Sequence, residues 1–214
     1  VFVWFHGGGF KNGDKNQIEK HGRATLETYR KAGYAVISCN YPFLGKDMDH
    51  REIVNHCGRA VKFIRSRSKE WNIDPKRIGV MGSSAGGHLA ARVSTGFDIK
   101  SYQDVDQIDA VSCKPDFTVL LYPAYMNKGE ALSKEFTISD EISPTLIVSA
   151  KDDKGFFPGS PIYADALKEA GASIRVHFFE KGGHGFSLRP KEYPLSTWPD
   201  LCLEWLRDKK ILQD

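Results

Sequence analysis

Gly82-Ser83-Ser84-Ala85-Gly86 is a G-x-S-x-G run, and it falls between a strand-like stretch, Arg77 to Met81, and a helix-like stretch rich in small residues. In that setting the flanking glycines permit a strained turn that lifts Ser84 above a sheet, at the positive end of the following helix. A serine hydroxyl is a weak nucleophile alone and needs a base to take its proton. The base expected is His184, in Lys181-Gly182-Gly183-His184-Gly185-Phe186, where glycines leave the backbone free to aim an imidazole. The other six histidines read as local packing or hydrogen bonding, with His6 shaping the glycine loop in which it lies and His88 one turn beyond Ser84.

An imidazole that becomes charged needs a carboxylate to orient it. Asp152 and Asp153 both follow the apolar run Thr145 to Ala150, at the end of a strand where open α/β sheets keep their sites. Residue type does not separate two adjacent aspartates. The reading favours Asp152, with Asp153 as a solvated loop residue. The chain order Ser84, Asp152, His184 is the order expected of such a site. Gly7, Gly8 and Gly9 directly follow the run Val1 to Phe5, so their N–H groups are candidates, with that of Ala85, to hold a developing oxyanion. The glycine run lacks the G-x-G-x-x-G order of a dinucleotide loop and continues into Phe10-Lys11-Asn12-Gly13-Asp14 rather than a helix.

Elements that would position these residues alternate along the chain. Strands are expected near Val1 to Phe5, Tyr34 to Asn40, Arg77 to Met81, Phe117 to Tyr122, Thr145 to Ala150 and Ile174 to Phe178. Unbroken apolar runs among them are the pattern of parallel strands covered on both faces. Between them lie helices. One ends near Ala32 with Gly33 as its cap, and one opens with an Asp49/Glu52 capping box and carries Ile53, Cys57, Ala60, Val61, Ile64 and Trp71 on one stripe. Another runs from Ser160 and Pro161 to Gly171, and the last begins at Pro199. The expectation is one α/β domain over 1–214, a mostly parallel sheet of about six strands flanked by helices on both faces. Because the sequence opens inside a strand-like run, earlier strands of the sheet are expected to be missing from it, and the compartment is left open.

Composition excludes several classes. The 214 residues are 41% hydrophobic and 27% charged, enough apolar mass for a core. Thirty basic against 27 acidic residues give a net +3 with no basic stripe, so nucleic acid is not an expected partner. Mean hydropathy is −0.40, and no apolar run suits a membrane span. Four cysteines, Cys39, Cys57, Cys113 and Cys202, lack C-x-x-C spacing and read as free thiols. No Cys/His/Asp cluster has metal-ligand spacing, so neither metal nor cofactor is expected.

His6-Gly7-Gly8-Gly9-Phe10, Gly13-Asp14-Lys15, Gly82-Ser83-Ser84-Ala85-Gly86-Gly87-His88-Leu89-Ala90, Leu121-Tyr122-Pro123 and Lys181 to Phe186 together resemble the α/β-hydrolase superfamily. Within it the chain is most similar to the acetyl-xylan-esterase-like and bifunctional acetyl/feruloyl esterase group. The resemblance implies Ser84 as nucleophile, His184 as base, the first of the two aspartates as acid, and Gly7, Gly8 and Ala85 as oxyanion donors. It also implies a serine carboxylesterase acting on short acyl esters, acetyl or feruloyl in type, of a small molecule or oligosaccharide. An amidase or peptidase, a kynurenine-formamidase-like hydrolase and a hormone-sensitive-lipase-like esterase are the alternatives on the same residues. Phe10, Tyr41, Tyr125, Phe156 and Phe186 fall on loops at the active end and are candidates to stack on substrate. The segment Pro123 to Pro144 is too short for a large helical lid, and Thr95 to Lys114 is expected to form a partial polar wall.

Overall fold

In a computed structural model, which describes residues 1–97, 101–187 and 194–212, six parallel strands form one sheet. They are β1 (Phe2–Phe5), β2 (Val36–Cys39), β3 (Gly79–Ser83), β4 (Thr118–Leu121), β7 (Thr145–Ala150) and β8 (Ile174–Phe179). Their order across the sheet is β2-β1-β3-β4-β7-β8. A separate two-stranded ribbon, β5 (Asn127–Lys128) with β6 (Ala131–Leu132), lies between β4 and β7 in the chain.

The apolar runs are unbroken because alternate residues serve two cores. Val3, Phe5, Val80, Leu120 and Ile147 face α3 (His50–Ser66), α4 (Ala85–Thr95) and α5 (Gly159–Glu169), meeting Ile53, Val61, Leu89, Tyr163 and Leu167. Phe2, Trp4, Met81, Val119, Leu121 and Val148 point the other way, against Tyr29 of α2 (Arg23–Lys31) and Trp198, Cys202 and Trp205 of α6 (Trp198–Asp208). A short α1 (Gln17–His21) adds Ile18 to that second core. The Asp49/Glu52 capping box forms as expected and starts α3.

Three expectations need correction. The strand read over Tyr34 to Asn40 is only β2, a half-buried edge strand, because nothing among the described residues pairs with its outer side. Trp71 is not on the α3 stripe: α3 ends at Ser66, and Trp71 is exposed. No described residue of the Thr95 to Lys114 segment lines the Ser84 cavity, and residues 98–100 lie outside the described ones. Since β4 runs parallel to β3, the chain leaving α4 must return to the opposite edge of the sheet. There Asp109, beneath the Tyr102 hydroxyl and Arg59, ties it to α3.

None of the four cysteines is in a disulfide, and burial pushes the Cys39 thiol up to about 11. No helix among the described residues is long and apolar enough to cross a membrane.

Candidate active site

Ser84 stands between β3 and α4 with φ 54° and ψ −121°, a backbone conformation that costs an L-residue energy. The surroundings hold it there. Its N–H donates to Leu121 O (3.0 Å), and its carbonyl accepts from Ala124 N (3.0 Å) and His88 N (3.1 Å). The two glycines of the motif are dictated by contact distance. A Cβ on Gly82 would lie 2.0 Å from the Gly86 carbonyl oxygen, and one on Gly86 would lie 2.1 Å from that of Phe5. Both obstacles are backbone, which cannot swing aside. Gly82→Ala is therefore expected to cost about 2–3 kcal/mol, read as a fall of roughly 5–10 °C in Tm. An unchanged unfolding midpoint would show that the turn relaxes freely.

His184 Nε2 lies 2.8 Å from Ser84 Oγ, and His184 Nδ1 lies 2.6 Å from Asp153 Oδ2. A carboxylate only accepts, so Nδ1 carries the proton and Nε2 offers its lone pair to the serine hydroxyl. This corrects the expectation for the acid. Asp153 N–H turns back onto Ala150 O (3.1 Å), which swings its side chain inward, where the residue is buried. Asp152 points outward and accepts from the N–H groups of Gly182 (3.2 Å) and Gly183 (2.7 Å), the residues before His184. One aspartate therefore holds the imidazole, and its neighbour holds the loop that carries it.

The glycine loop is shaped by His6. Its ring stacks on Tyr41 (centroids 4.3 Å), Nδ1–H donates to Gly7 O (2.7 Å), and Tyr41 Oη–H donates to His6 O (2.6 Å). Burial lowers the His6 pKa, with the hydrogen bond to Gly7 opposing. Gly7 sits against Ser84, within 3.3 Å of its Cβ measured from where a Gly7 Cβ would stand. Among the described residues, the N–H groups of Gly7, Gly8 and Ala85 donate no backbone hydrogen bond. They are free to meet an anionic oxygen beside Ser84.

A cavity of about 460 Å³ opens here, lined by Gly7, Gly8, Gly9, Gln17, Ser83, Ser84, Tyr122, His184, Gly185 and Ser187. None of the five aromatics expected to stack on substrate lines it. Tyr41 is buried under the glycine loop. Phe186 is buried against Tyr122 (4.5 Å between centroids), and Phe10 is buried among Tyr125, His50 and His88. Tyr125 is exposed and packs on Phe156, which flanks His184 at 4.8 Å from the outside. The sequence reading missed Gln17, Tyr122 and Ser187. Tyr122 had a signal in its Leu-Tyr-Pro run, and its hydroxyl pairs with Ser187 Oγ. Among the described residues, four of the six non-glycine residues with positive φ, Phe10, Ser84, Tyr122 and Tyr125, surround this site.

Glu135, in the segment between β6 and β7, is a second polar centre. Its carboxylate meets His50, His88 and Arg92 and is held down at about 2, foremost by His88, with burial opposing.

A parallel sheet covered on both faces, with a serine on a strained strand-to-helix turn and a histidine and aspartate from later loops, defines an α/β-hydrolase. Residues 1–120 match the model of the BD-FAE family, and the chain belongs to that family. Over 99% of its length it superposes on the acetyl ester-xyloside bifunctional hydrolase from Caldicellulosiruptor lactoaceticus, with a TM-score of 0.84, 29% identity and 84% of that chain covered. Esterase Est2 from Thermogutta terrifontis shares the fold, at TM-score 0.84 and 22% identity over 99% of this chain and 82% of its own. An acetylxylan esterase of Xylanibacter ruminicola is 26% identical over 185 residues, and endo-1,4-beta-xylanase B of Butyrivibrio fibrisolvens 26% over 170. Those matches take in 74% and 70% of this chain but 35% and 26% of the relatives. The chain thus spans about a third of the one and a quarter of the other.

Proposed function

We propose that the chain is a serine carboxylesterase that removes short acyl groups from carbohydrate esters by way of an acyl-enzyme. The observation that carries this is the run of contacts from Asp153 through His184 to Ser84 Oγ, 2.6 and 2.8 Å long, at the floor of an open cavity. His184 Nε2 takes the hydroxyl proton as Oγ attacks the ester carbonyl, and the tetrahedral oxyanion falls among the N–H groups of Gly7, Gly8 and Ala85. Each such donor is worth on the order of 3 kcal/mol in the transition state. The protonated imidazole, held by Asp153, gives its proton to the departing alcohol. A water activated by the same nitrogen then releases the acid and restores Ser84.

The cavity's chemistry supports a short acyl group. Its lining is glycine, serine, glutamine, one tyrosine and His184, with no aliphatic side chain among the described residues. A buried methylene is worth about 0.8 kcal/mol only where apolar surface receives it. Between β4 and β7 the chain forms just the two-residue strands β5 and β6, so no helix covers the opening from that side. Names of the relatives, acetylxylan esterase and acetyl ester-xyloside hydrolase, support acetylated carbohydrate as the substrate.

A panel of p-nitrophenyl acetate, butyrate and decanoate, with acetylated xylan, a feruloyl ester and N-formylkynurenine, tests the reading. kcat/KM is expected to peak at acetyl to butyryl and to fall for decanoyl, with acetate released from acetylated xylan. A preference for decanoyl esters would reject the short-acyl reading, and formylkynurenine as the best substrate would make the enzyme an amidase.

A further inference from the structure

His50 opens α3, His88 lies one turn into α4, and Glu135 faces both from the segment between β6 and β7. Glu135 Oε1 is 3.2 Å from His50 Nδ1 and 3.0 Å from Arg92 Nη1, while Oε2 is 3.3 Å from His88 Nε2. One ligand atom from each of His50, His88 and Glu135 lies within 4.8 Å of the other two. His88 is 1% exposed; its Nε2 meets Glu135 at ion-pair distance, but neither ring nitrogen makes a well-formed hydrogen bond among the described residues. Leaving buried imidazole nitrogens unsatisfied is costly, so such a group calls for a partner.

The separations say what that partner is. A contact of 3.3 Å between His88 and Glu135 is past the usual N–H···O range. It is, however, the edge of a tetrahedron whose metal–ligand bonds are about 2.0–2.1 Å, since that edge comes to roughly 3.3 Å. Two imidazoles and a carboxylate suit Zn²⁺, Co²⁺ or Ni²⁺ and not Mg²⁺ or Ca²⁺, which take oxygen ligands. Glu135 and His50 are each about one-third exposed at the side chain, which leaves a path for an ion and for a water in the fourth position. Arg92 shares Oε1 with His50, so Oε2 and the His88 nitrogen remain turned to one another.

We propose that His50, His88 and Glu135 form a binding site for a transition-metal cation of the Zn²⁺ type, distinct from the Ser84 site. The ion would pin the 123–144 segment to the starts of α3 and α4. It would act as a brace, since Phe10, Tyr125 and Phe156 stand ring to ring between this cluster and His184 at 4.7, 5.5, 5.3 and 4.8 Å. No step of ester cleavage passes through it.

The test uses the whole chain, stripped with a chelator and dialysed, titrated with Zn²⁺ by calorimetry and with Co²⁺ by absorption, against Mg²⁺ as control. The expected result is one equivalent of Zn²⁺, intense Co²⁺ bands of a four-coordinate centre, and no response to Mg²⁺. At a hundredfold excess over Kd the ion should raise Tm by about 5 °C or more. His50→Gln and Glu135→Gln should each weaken Zn²⁺ at least about 100-fold, more than is usual for losing an outer-shell partner, while His56→Gln on the exposed side of α3 should not. The Co²⁺ spectrum of the unaltered protein decides the matter even where a variant folds poorly. No stoichiometric binding, a six-coordinate Co²⁺ spectrum, or affinity untouched by the two glutamine variants would leave an ion-paired cluster only and overturn the proposal. These readouts follow metal rather than turnover, so neither result bears on the esterase reading.

Discussion

Ser84→Ala is expected to lower kcat for ester hydrolysis by about 10⁶-fold while leaving the unfolding transition in place. The change removes one atom, Oγ, the atom that forms the acyl-enzyme in the mechanism we propose. Removing the nucleophile of a Ser-His-Asp site costs about as much as removing all three members, because the remaining two have nothing to activate. A residual rate of roughly 10³ over water should persist, from substrate binding and the N–H groups of Gly7, Gly8 and Ala85. Stability should be unaffected for a specific reason. Alanine carries the same Cβ as serine, so the strain at φ 54° is the same in both. The bonds that hold the turn, from Ser84 N to Leu121 O and from Ala124 N and His88 N to Ser84 O, are all backbone. Steady-state kinetics on p-nitrophenyl acetate measures the first effect. Mass spectrometry after a fluorophosphonate probe locates the nucleophile, with the adduct expected on Ser84 of the unaltered protein and absent from the variant. Turnover within tenfold of the unaltered enzyme, or an adduct on another residue, would place the nucleophile elsewhere.

Much of this site was legible in the chain because its parts are local. The contacts that demand glycine at 82 and 86 lie within four residues of Ser84 or on the neighbouring strand β1, so a five-residue motif records them. Strands β1, β3, β4 and β7 were legible because each is buried on both faces, as Phe2 to Phe5 are, and an apolar run of that length has few other uses. What such a run does not record is its neighbours. β2 has strand composition, yet among the described residues only β1 pairs with it, so its residues are half-buried where a covered strand was expected. Periodicity likewise overran the end of α3: Trp71 falls in phase with Ile64, but the chain has already left the helix, and Asn72 adopts a left-handed conformation (φ 52°). The His50, His88 and Glu135 cluster had no signature at all. Its members come from two helix starts and a loop, and only the packing of α3 and α4 against the same sheet face brings them together. Aromatic residues near the active end were misread for the converse reason. Tyr41 and Phe186 are close to the site, but they serve it from beneath, one supporting the glycine loop and the other supporting Tyr122.

Asp153→Asn is expected to cost about 10⁴-fold in kcat, and Asp152→Asn no more than about tenfold. These neighbours have the same side chain and follow the same strand, so the difference lies entirely in what each carboxylate meets. Asp153, buried, accepts from His184 Nδ1–H at 2.6 Å and so presents Nε2 as a lone pair to Ser84 Oγ. An asparagine there can offer its N–H₂ instead. That favours the tautomer with the proton on Nε2, which cannot accept from the serine, and it removes the negative charge that stabilises the imidazolium. Asp152 accepts from the N–H groups of Gly182 and Gly183, near the surface, and an asparagine oxygen still accepts from them. The loop would lose charge assistance but keep a hydrogen bond, so His184 would be slightly less well positioned and would keep its tautomer. The two variants therefore separate by kind as well as by size. Asp153→Asn should recover activity as pH rises and hydroxide supplements the impaired base, whereas Asp152→Asn should keep the pH profile of the unaltered enzyme. Rate measurements across pH on p-nitrophenyl acetate for both variants check this. If Asp152→Asn proves the more damaging change, the carboxylate that orients His184 during turnover is Asp152, and the loop must rearrange when substrate binds.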